Sequence, residues 1–134
     1  MKVMLAVLAA CAVLLLAAMP VLAHHSFAAE YDSTKPINLT GAVTKVEWMN
    51  PHARFYIDVK DQGGSVANWE FELGSPNGLM RQGWTRNSMK IGDTVSVEGY
   101  LAKDGSKLGN ARTIKTADGK KLFAGSTTDG GPTQ

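Results

Sequence analysis

Two runs of alternating apolar residues, separated by a short turn, constrain the fold of this chain more than any other feature. In the first run the apolar side chains lie at odd positions up to Val43 and at even positions from Val46 to Trp48. Side chains alternate between the two faces of a strand, so this change of phase requires one extra residue. We therefore predict a β-bulge near Thr44-Lys45, with Gly41 as a second place where the strand bends.

The second run alternates without interruption, and similar runs follow it. They predict strands at Arg54–Lys60, Val66–Leu73, Thr94–Leu101 and Asn110–Thr116, and a final hairpin that returns through Lys121–Phe123. Ser75 before Pro76 is typical of a helix start and Gly83 of a helix end, which predicts a helix over Pro76–Gln82. We expect Leu79, Met80 and Trp84 to form its buried side.

Five short strands with one short helix between the third and fourth are the pattern of an OB-fold. We therefore predict an all-β domain over residues 37–123, an OB-fold-like five-stranded Greek-key β-barrel. Trp48, Trp69 and Trp84 are expected in its core, whereas Glu70 and Glu72 are expected on a solvated strand face. Residues 124–134 are predicted to be a disordered tail with nothing to bury.

Residues 1–23 have the layout of a secretory signal peptide. Lys2 is followed by an apolar run that ends with Pro20 and the small-residue site Val21-Leu22-Ala23. Cleavage there makes His24 the first residue of a periplasmic protein, which meets the membrane only through the signal segment before cleavage. The alternative is a retained membrane anchor, because an apolar run of about 20 residues is long enough to span a bilayer.

The remaining N-terminal residues, 24–36, are predicted to be an exposed leader. Phe27 and Tyr31 are four residues apart and could pack on the domain as one helical turn, and Ser33–Pro36 has the composition of a turn.

Cys11 is the one cysteine of the chain and lies inside the predicted signal peptide. It ends a sequence of the lipoprotein-box form, Leu8-Ala9-Ala10-Cys11, but the apolar core before it is too short for such a signal. The mature chain then lacks cysteine, which excludes disulfides, thiolate metal sites and cysteine nucleophiles. A formal net charge of +2 gives no electrostatic footprint for nucleic acid.

Several short motifs resemble a family of small exported bacterial proteins known only as a domain of unknown function. The motifs are His24-His25-Ser26-Phe27, Trp48-x-Asn50-Pro51-His52, Gly74-Ser75-Pro76-Asn77, Gly83-Trp84 and Gly92-Asp93-x-Val95-x-Val97-x-Gly99-Tyr100. The resemblance covers most of the mature chain. It implies export and a small size, and it brings no established activity.

The three histidines predict a metal site. His24 becomes the N-terminal residue, His25 follows it, and His52 lies in the first loop between strands. A free N-terminal amine, its imidazole and a second imidazole form a T-shaped set of nitrogens, which suits copper or another divalent metal. The alternative is that two exposed histidines simply follow a signal peptide and that His52 fills a turn.

A second candidate site is the outer face of the barrel, where OB-folds bind their ligands. Its residues are Asn50, Arg54, Tyr56, Tyr100 and Lys103. They would make a metal-free module that binds a partner protein, a glycan or a small ligand, or they are ordinary strand surface. We expect no enzyme, because neither a nucleophile with a base nor a Gly-rich phosphate loop is visible.

Overall fold

The computed structural model describes Met1 and residues 26–132. Residues 2–23 of the predicted signal peptide, its cleavage site, His24 and His25 lie outside the described residues. The described part contains α1 (Phe27–Glu30), β1 (Tyr31–Glu47), β2 (Arg54–Lys60), β3 (Val66–Glu72), α2 (Pro76–Arg81), β4 (Thr94–Ala102), β5 (Leu108–Lys115) and β6 (Lys121–Phe123).

The first five strands form a closed ring. β1 pairs with β2 on one side and with β4 on the other, β2 pairs with β3, and β4 pairs with β5, all antiparallel. A short parallel pairing of β3 with β5 closes the ring, and β6 pairs with β5 outside it. The predicted all-β class is confirmed, and the ring is consistent with an OB-fold-like barrel. The short helix α2 lies between β3 and β4, where the sequence predicts it.

The predicted bulge in β1 is confirmed. Val43 pairs with Ile57 and Lys45 pairs with Tyr56, so one residue of β1 has no counterpart in β2. The bulge lets Val43, which is buried, and Val46 contribute to the same core despite their opposite parity. At Gly41 an added Cβ would overlap the carbonyl oxygen of Asp58, which explains glycine at this close approach of β1 to β2.

The inward faces of the ring form one hydrophobic core. Its largest fully buried side chains include Phe55, Phe71, Ile57, Leu79 and Ile114. The rings of Phe55 and Phe71 stack with their centroids 5.3 Å apart. Of the three tryptophans, Trp84 is buried, and Trp48 and Trp69 are partly buried against this core, so the prediction for them is largely confirmed.

Helix α2 begins as predicted, but its buried side is narrower. The hydroxyl of Ser75 accepts a hydrogen bond from the amide of Gly78 at 3.2 Å, and Pro76 occupies the first turn. Leu79 is fully buried, whereas Met80 is 51% exposed. The prediction that Met80 is buried is wrong, because successive residues of a helix lie about 100° apart and one short helix cannot bury both.

In the described part of the leader predicted for residues 24–36, most residues are exposed as expected, and the predicted packing of Phe27 and Tyr31 on the domain is confirmed. Phe27 and Tyr31 are both buried, and together with Ala102 they form a second hydrophobic cluster on the outside of the ring. β1 already begins at Tyr31, which pairs with Ala102 of β4, and the predicted turn at Ser33–Pro36 is an irregularity within this strand. The two aromatic side chains explain the early start, because burying them holds the chain against β4.

The prediction that residues 124–134 bury nothing is also wrong for the described residues of that segment. Ala124 is fully buried, and its carbonyl accepts a hydrogen bond from the amide of Gly74 at 2.8 Å. Further along, Asp129 forms a buried ion pair with Arg112. The small side chain of Ala124 allows the backbone to approach the ring of strands closely. Asp129 is held because the buried guanidinium of Arg112 requires a carboxylate partner.

Candidate functional site

A row of side chains crosses the outer face of the ring close to the loop that carries His52. Arg54 of β2 pairs with Glu72 of β3, Glu72 with Asn110 of β5, and Asn110 with Tyr100 of β4. Paired residues place their side chains on the same face of a sheet, and the neighbours Phe71 and Ala111 face the core. We call Arg54, Glu72, Asn110 and Tyr100 the outer row.

Backbone hydrogen bonds place His52 beside this row. The amide of Ala53 donates to the carbonyl of Gly74 at 3.0 Å, and the amide of Leu73 donates to the carbonyl of Ala53 at 2.9 Å. These bonds continue the β2–β3 pairing into the loop after the cis Asn50-Pro51 peptide. His52 is therefore held next to the end of β3.

The imidazole of His52 is fixed through one nitrogen only. Its Nδ1 lies 3.1 Å from the Leu73 carbonyl oxygen and 3.1 Å from Oε1 of Glu72. A carbonyl oxygen only accepts hydrogen bonds, so Nδ1 carries the hydrogen and, in the neutral ring, Nε2 carries the lone pair. Within residues 26–132, Nε2 has no hydrogen-bond partner, and the side chain is 23% exposed.

Glu72 connects His52 to the rest of the row. Its side chain is only 12% exposed, and its second oxygen accepts a hydrogen bond from Nη2 of Arg54 at 3.4 Å. The other terminal nitrogen of Arg54 pairs with Glu70. The prediction of a solvated face is therefore wrong for Glu72, because His52 and Arg54 cover it. If the predicted strands Arg54–Lys60 and Val66–Leu73 pair as a hairpin from Lys60 and Val66, Arg54 falls opposite Glu72, so the sequence contains the signal for this ion pair.

The hydroxyl of Tyr31, the first residue of β1, faces the same carboxylate. Burial and the negative charge of Glu72 raise the pKa of Tyr31 far above its ordinary value, so the phenol stays protonated. In the described part of the chain this hydroxyl has no hydrogen-bond partner. The N-terminal segment therefore adds a neutral polar group, not a charge, to the surroundings of Glu72.

The hydrogen bond that the imidazole donates to Glu72 raises the pKa of His52 above its ordinary value of 6.5, with smaller contributions from the charge of Glu72 and the Leu73 carbonyl, while burial lowers it. We expect Glu72→Gln to lower the His52 pKa in metal-free protein, as measured by NMR titration of the imidazole. A pKa raised by folding adds stability below the unfolded value near 6.5, and that stability is lost as the pH rises through the folded value. Glu72→Gln should therefore destabilise the protein near pH 5 more than near pH 8. Identical His52 titrations in the two proteins would show that this contact is absent in solution.

The other predicted ligand-binding residues do not meet at one open surface. Asn50 is exposed in the loop, and Tyr56 lies beneath Lys45, whose Nζ is 5.0 Å from the ring centroid. Tyr100 is partly covered by Phe27, with the two rings edge to face at 5.6 Å. Nζ of Lys103 donates to the carbonyl of Ala28. Tyr100 and Lys103 thus hold α1 in place, and Arg54 is engaged by two carboxylates.

The described residues around His52 do not by themselves form a set of metal ligands. Among residues 26–132, no three His, Cys, Asp or Glu side chains are grouped as a metal site. His24 and His25, the predicted further ligands, lie outside those residues. Over the same residues, no helix has the length and apolar character that a membrane span requires.

A family model matches residues 11–111, a region that includes His52, Arg54 and Glu72, and its description is family of unknown function (DUF6152). The chain belongs to this family. The predicted resemblance to a domain of unknown function is thereby confirmed. No curated protein and no solved structure matches the chain. Because the description of the family names no activity, the function has to be argued from the site itself.

Proposed function

We propose that this is an exported periplasmic protein that binds copper, or another divalent metal, through His24, His25 and His52. The observation that carries the proposal is the fixed tautomer of His52, whose Nδ1 is held by Glu72 and the Leu73 carbonyl. Histidines that bind metals almost always donate their second N–H to a carboxylate or a carbonyl, which orients the ring and makes the ligating nitrogen more basic. His52 has both kinds of acceptor.

Residues 27–31, at the start of the domain, lie near Asp129 and the carboxylate of Glu72. The amide of Phe27 donates to the carbonyl of Asp129 at 2.9 Å, and the charge of Asp129 contributes to the raised pKa of His52. The ring of Phe27 packs against Tyr100, and the hydroxyl of Tyr31 lies near Glu72. His24 lies three residues before Phe27, and such a length of extended chain spans about 10 Å. We therefore propose that the N-terminal ligands can reach His52.

Cleavage during export would supply the remaining metal-binding group, a free N-terminal amine. Cleavage before His24 creates a free amine, so that the amine, its imidazole and Nε2 of His52 offer three nitrogens to one ion. Nitrogen-rich sites of this kind favour copper. Ligation requires a neutral His52, and its raised pKa means that protons compete with the metal from a higher pH than at an ordinary histidine. Binding should therefore weaken as the pH falls towards and below 6.5.

The alternative is a metal-free module that binds a partner protein, a glycan or a small ligand through Arg54, Tyr56 and Tyr100. The contacts favour it less, because Arg54 already pairs with two carboxylates and Tyr100 packs against Phe27. The two functions separate in a metal titration, since only the first depends on histidine.

We expect the mature protein to begin at His24. The apolar run and the small-residue site Val21-Leu22-Ala23 motivate this prediction. Intact-mass measurement of protein from a periplasmic extract checks it. Lipid attached to Cys11, or full-length chain in the inner membrane, would show that no free histidine amine forms.

Copper titration tests the N-terminal half of the site. Correctly processed protein is compared with protein that carries four extra residues, Gly-Ser-Gly-Ser, before His24, which moves the free amine away from both imidazoles. The extension should weaken copper binding at least about 10-fold, the smaller effect seen when only an outer-shell partner is lost. Folding is checked by circular dichroism of both proteins. Equal affinities would remove the N-terminal amine from the site.

A further inference from the structure

We infer that the free edge of β1 around Asn38 and Thr40 is a docking site for an extended, acidic peptide segment of a partner protein, which adds a strand to the sheet there. This edge contains none of the residues of the proposed metal site, so either proposal can fail without the other. The inference rests on an unpaired strand edge, an opening of the core beside it, and lysines without carboxylate partners.

β1 has a neighbouring strand on both sides over only part of its length. It pairs with β4 from Pro36 to Ala42 without interruption, but its pairing with β2 starts only at Ala42, opposite Asp58. Within the part of the chain that the structure describes, the residues of β1 before Ala42 therefore have no strand on their β2 side. An edge of this kind presents N–H and C=O groups that another strand can bind.

The backbone groups of Asn38 and Thr40 point to this free edge. The amide of Val43 donates to the carbonyl of Asp93 at 2.8 Å, so Val43 and every second residue before it face β4. Asn38 and Thr40 lie at the alternate positions and direct both N–H and C=O away from β4. The hydroxyls of Thr40 and Ser96 are 2.8 Å apart, which agrees with this assignment, because side chains are closest in pairs that are not hydrogen-bonded.

The hydrophobic core opens to solvent beside this edge. Leu39, Val59 and Trp69 pack on the core, yet each is only partly buried. They line an open groove of about 830 Å³ between β1 and the β2–β3 hairpin, a volume in the range of pockets that hold ligands. An extended segment that pairs with β1 would place every second side chain over these three residues.

The charges of the groove indicate the remaining side chains of the segment. Lys60 and Lys107 line the groove, and neither has an ion-pair partner among residues 26–132. Asp61, the acidic residue of the lining, accepts a hydrogen bond from the amide of Ser65 within its own turn. The groove therefore favours a segment in which apolar and acidic residues alternate.

Protection against pairing is the other role that an edge strand can have. Natural edge strands often carry lysine or proline, which prevents other chains from adding to the sheet. Lys35 and Pro36 protect the first part of the β1 edge in this way. Asn38 and Thr40 follow them and keep their N–H groups, so the protection ends where the groove begins.

The test uses the full chain and a blocked peptide in which valine and glutamate alternate. In free protein, the amides of Asn38 and Thr40 should exchange their hydrogens fast and the amide of Leu39, which faces β4, slowly. Peptide at about 1 mM, enough to detect weak binding, should slow the exchange of Asn38 and Thr40. The exchange of Leu39 is the internal control and should change least.

Thr40→Pro removes one donor that faces the groove. Proline is tolerated in a strand where the N–H points away from the sheet, so the pairing with β4 should survive. Peptide affinity should fall at least about 5-fold, as expected for the loss of one backbone hydrogen bond together with the added ring. Thr40→Ala is the matched control, because it removes the hydroxyl but keeps the N–H, and it should bind as the wild type does.

Reversing the charges of the groove provides a second variant that leaves the backbone intact. Lys60→Glu combined with Lys107→Glu should weaken the glutamate peptide at least about 10-fold at low salt and strengthen a peptide in which lysine replaces glutamate. Lys90→Glu changes an exposed lysine outside the groove and should leave both affinities unchanged.

Three results would overturn the inference. The first is a wild-type chain that binds neither peptide. The second is peptide binding that shifts the indole signal of Trp69 without slowing exchange at Asn38 and Thr40, which would assign the groove to a ligand that is not a strand. The third is protection of these amides without peptide that grows with protein concentration, which would assign the edge to a second copy of the chain.

Discussion

Phe71→Ala is expected to lower the free energy of unfolding by about 3–5 kcal/mol, the usual range for deleting a buried aromatic ring. Phe71 is fully buried, stacks on Phe55 at 5.3 Å and lies 6.3 Å from Trp69. It also lies on the stretch of β3 that pairs with β5 and closes the ring. A cavity there removes contacts from both sides of the closure. Urea unfolding followed by tryptophan fluorescence measures the change, provided that both proteins unfold in two states.

Val66→Ala is the matched control, since Val66 lies on the same strand but is 60% exposed. Its effect should stay within about 0.5 kcal/mol, as for most surface substitutions. If Phe71→Ala lowered the free energy of unfolding by less than about 1 kcal/mol, the value typical of an average substitution, Phe71 would not be packed at the β3–β5 closure as described.

The strands and the bulge could be predicted because their signals are local. Alternation along Arg54–Lys60 and the change of phase between Val43 and Val46 depend only on neighbouring residues. The same is true of Ser75 before Pro76, because serine is preferred at the N-cap position of helices in general. Each of these features appears in the structure at or within a few residues of its predicted position.

The partners that hold the ends of the domain could not be predicted, because these contacts join residues far apart in sequence. Phe27 is held by Tyr100, Arg112 and Asp129, and no periodic pattern announces such a cluster. The spacing of Phe27 and Tyr31 predicted a packed helical turn, but composition suggested an otherwise exposed leader and a tail that buries nothing. In the structure, two aromatic residues and one ion pair dock the two segments.

The candidate site was half visible from the sequence. His52 stands out as the one histidine beyond the N-terminal pair, but its partner Glu72 looked like ordinary strand surface. The pairing emerges only when the register of β2 and β3 is carried past Arg54 into the loop, where Ala53 and Leu73 are hydrogen-bonded.

His52→Ala is expected to weaken copper binding by more than about 100-fold in correctly processed protein. Losing an outer-shell partner of a metal-binding histidine costs 10–100-fold, and losing the ligand itself should cost more. The nitrogen removed is Nε2, whose lone pair the contacts of Nδ1 with Glu72 and Leu73 leave available. Competition titration against a chelator of known affinity measures the change at pH 7.5. Because the pKa of His52 is raised, the titration is repeated at pH 8.5, where more of the imidazole is neutral.

Two further variants show whether the loss belongs to the site. Glu72→Gln keeps the ligand but weakens its orientation, so it should lie between the wild type and His52→Ala, about 10–100-fold weaker than the wild type. Asn50→Ala changes an exposed side chain in the same loop and should leave the affinity unchanged. If His52→Ala binds copper as tightly as the wild type, His52 is not a metal ligand.

Native mass spectrometry of the protein isolated from periplasm, before and after exposure to copper, measures both the N-terminus and the bound metal. We expect a chain that begins at His24 and carries one copper or other divalent ion, and a His52→Ala chain with the same N-terminus that lacks this ion. A correctly processed wild-type chain that stays metal-free even in excess copper would contradict this expectation.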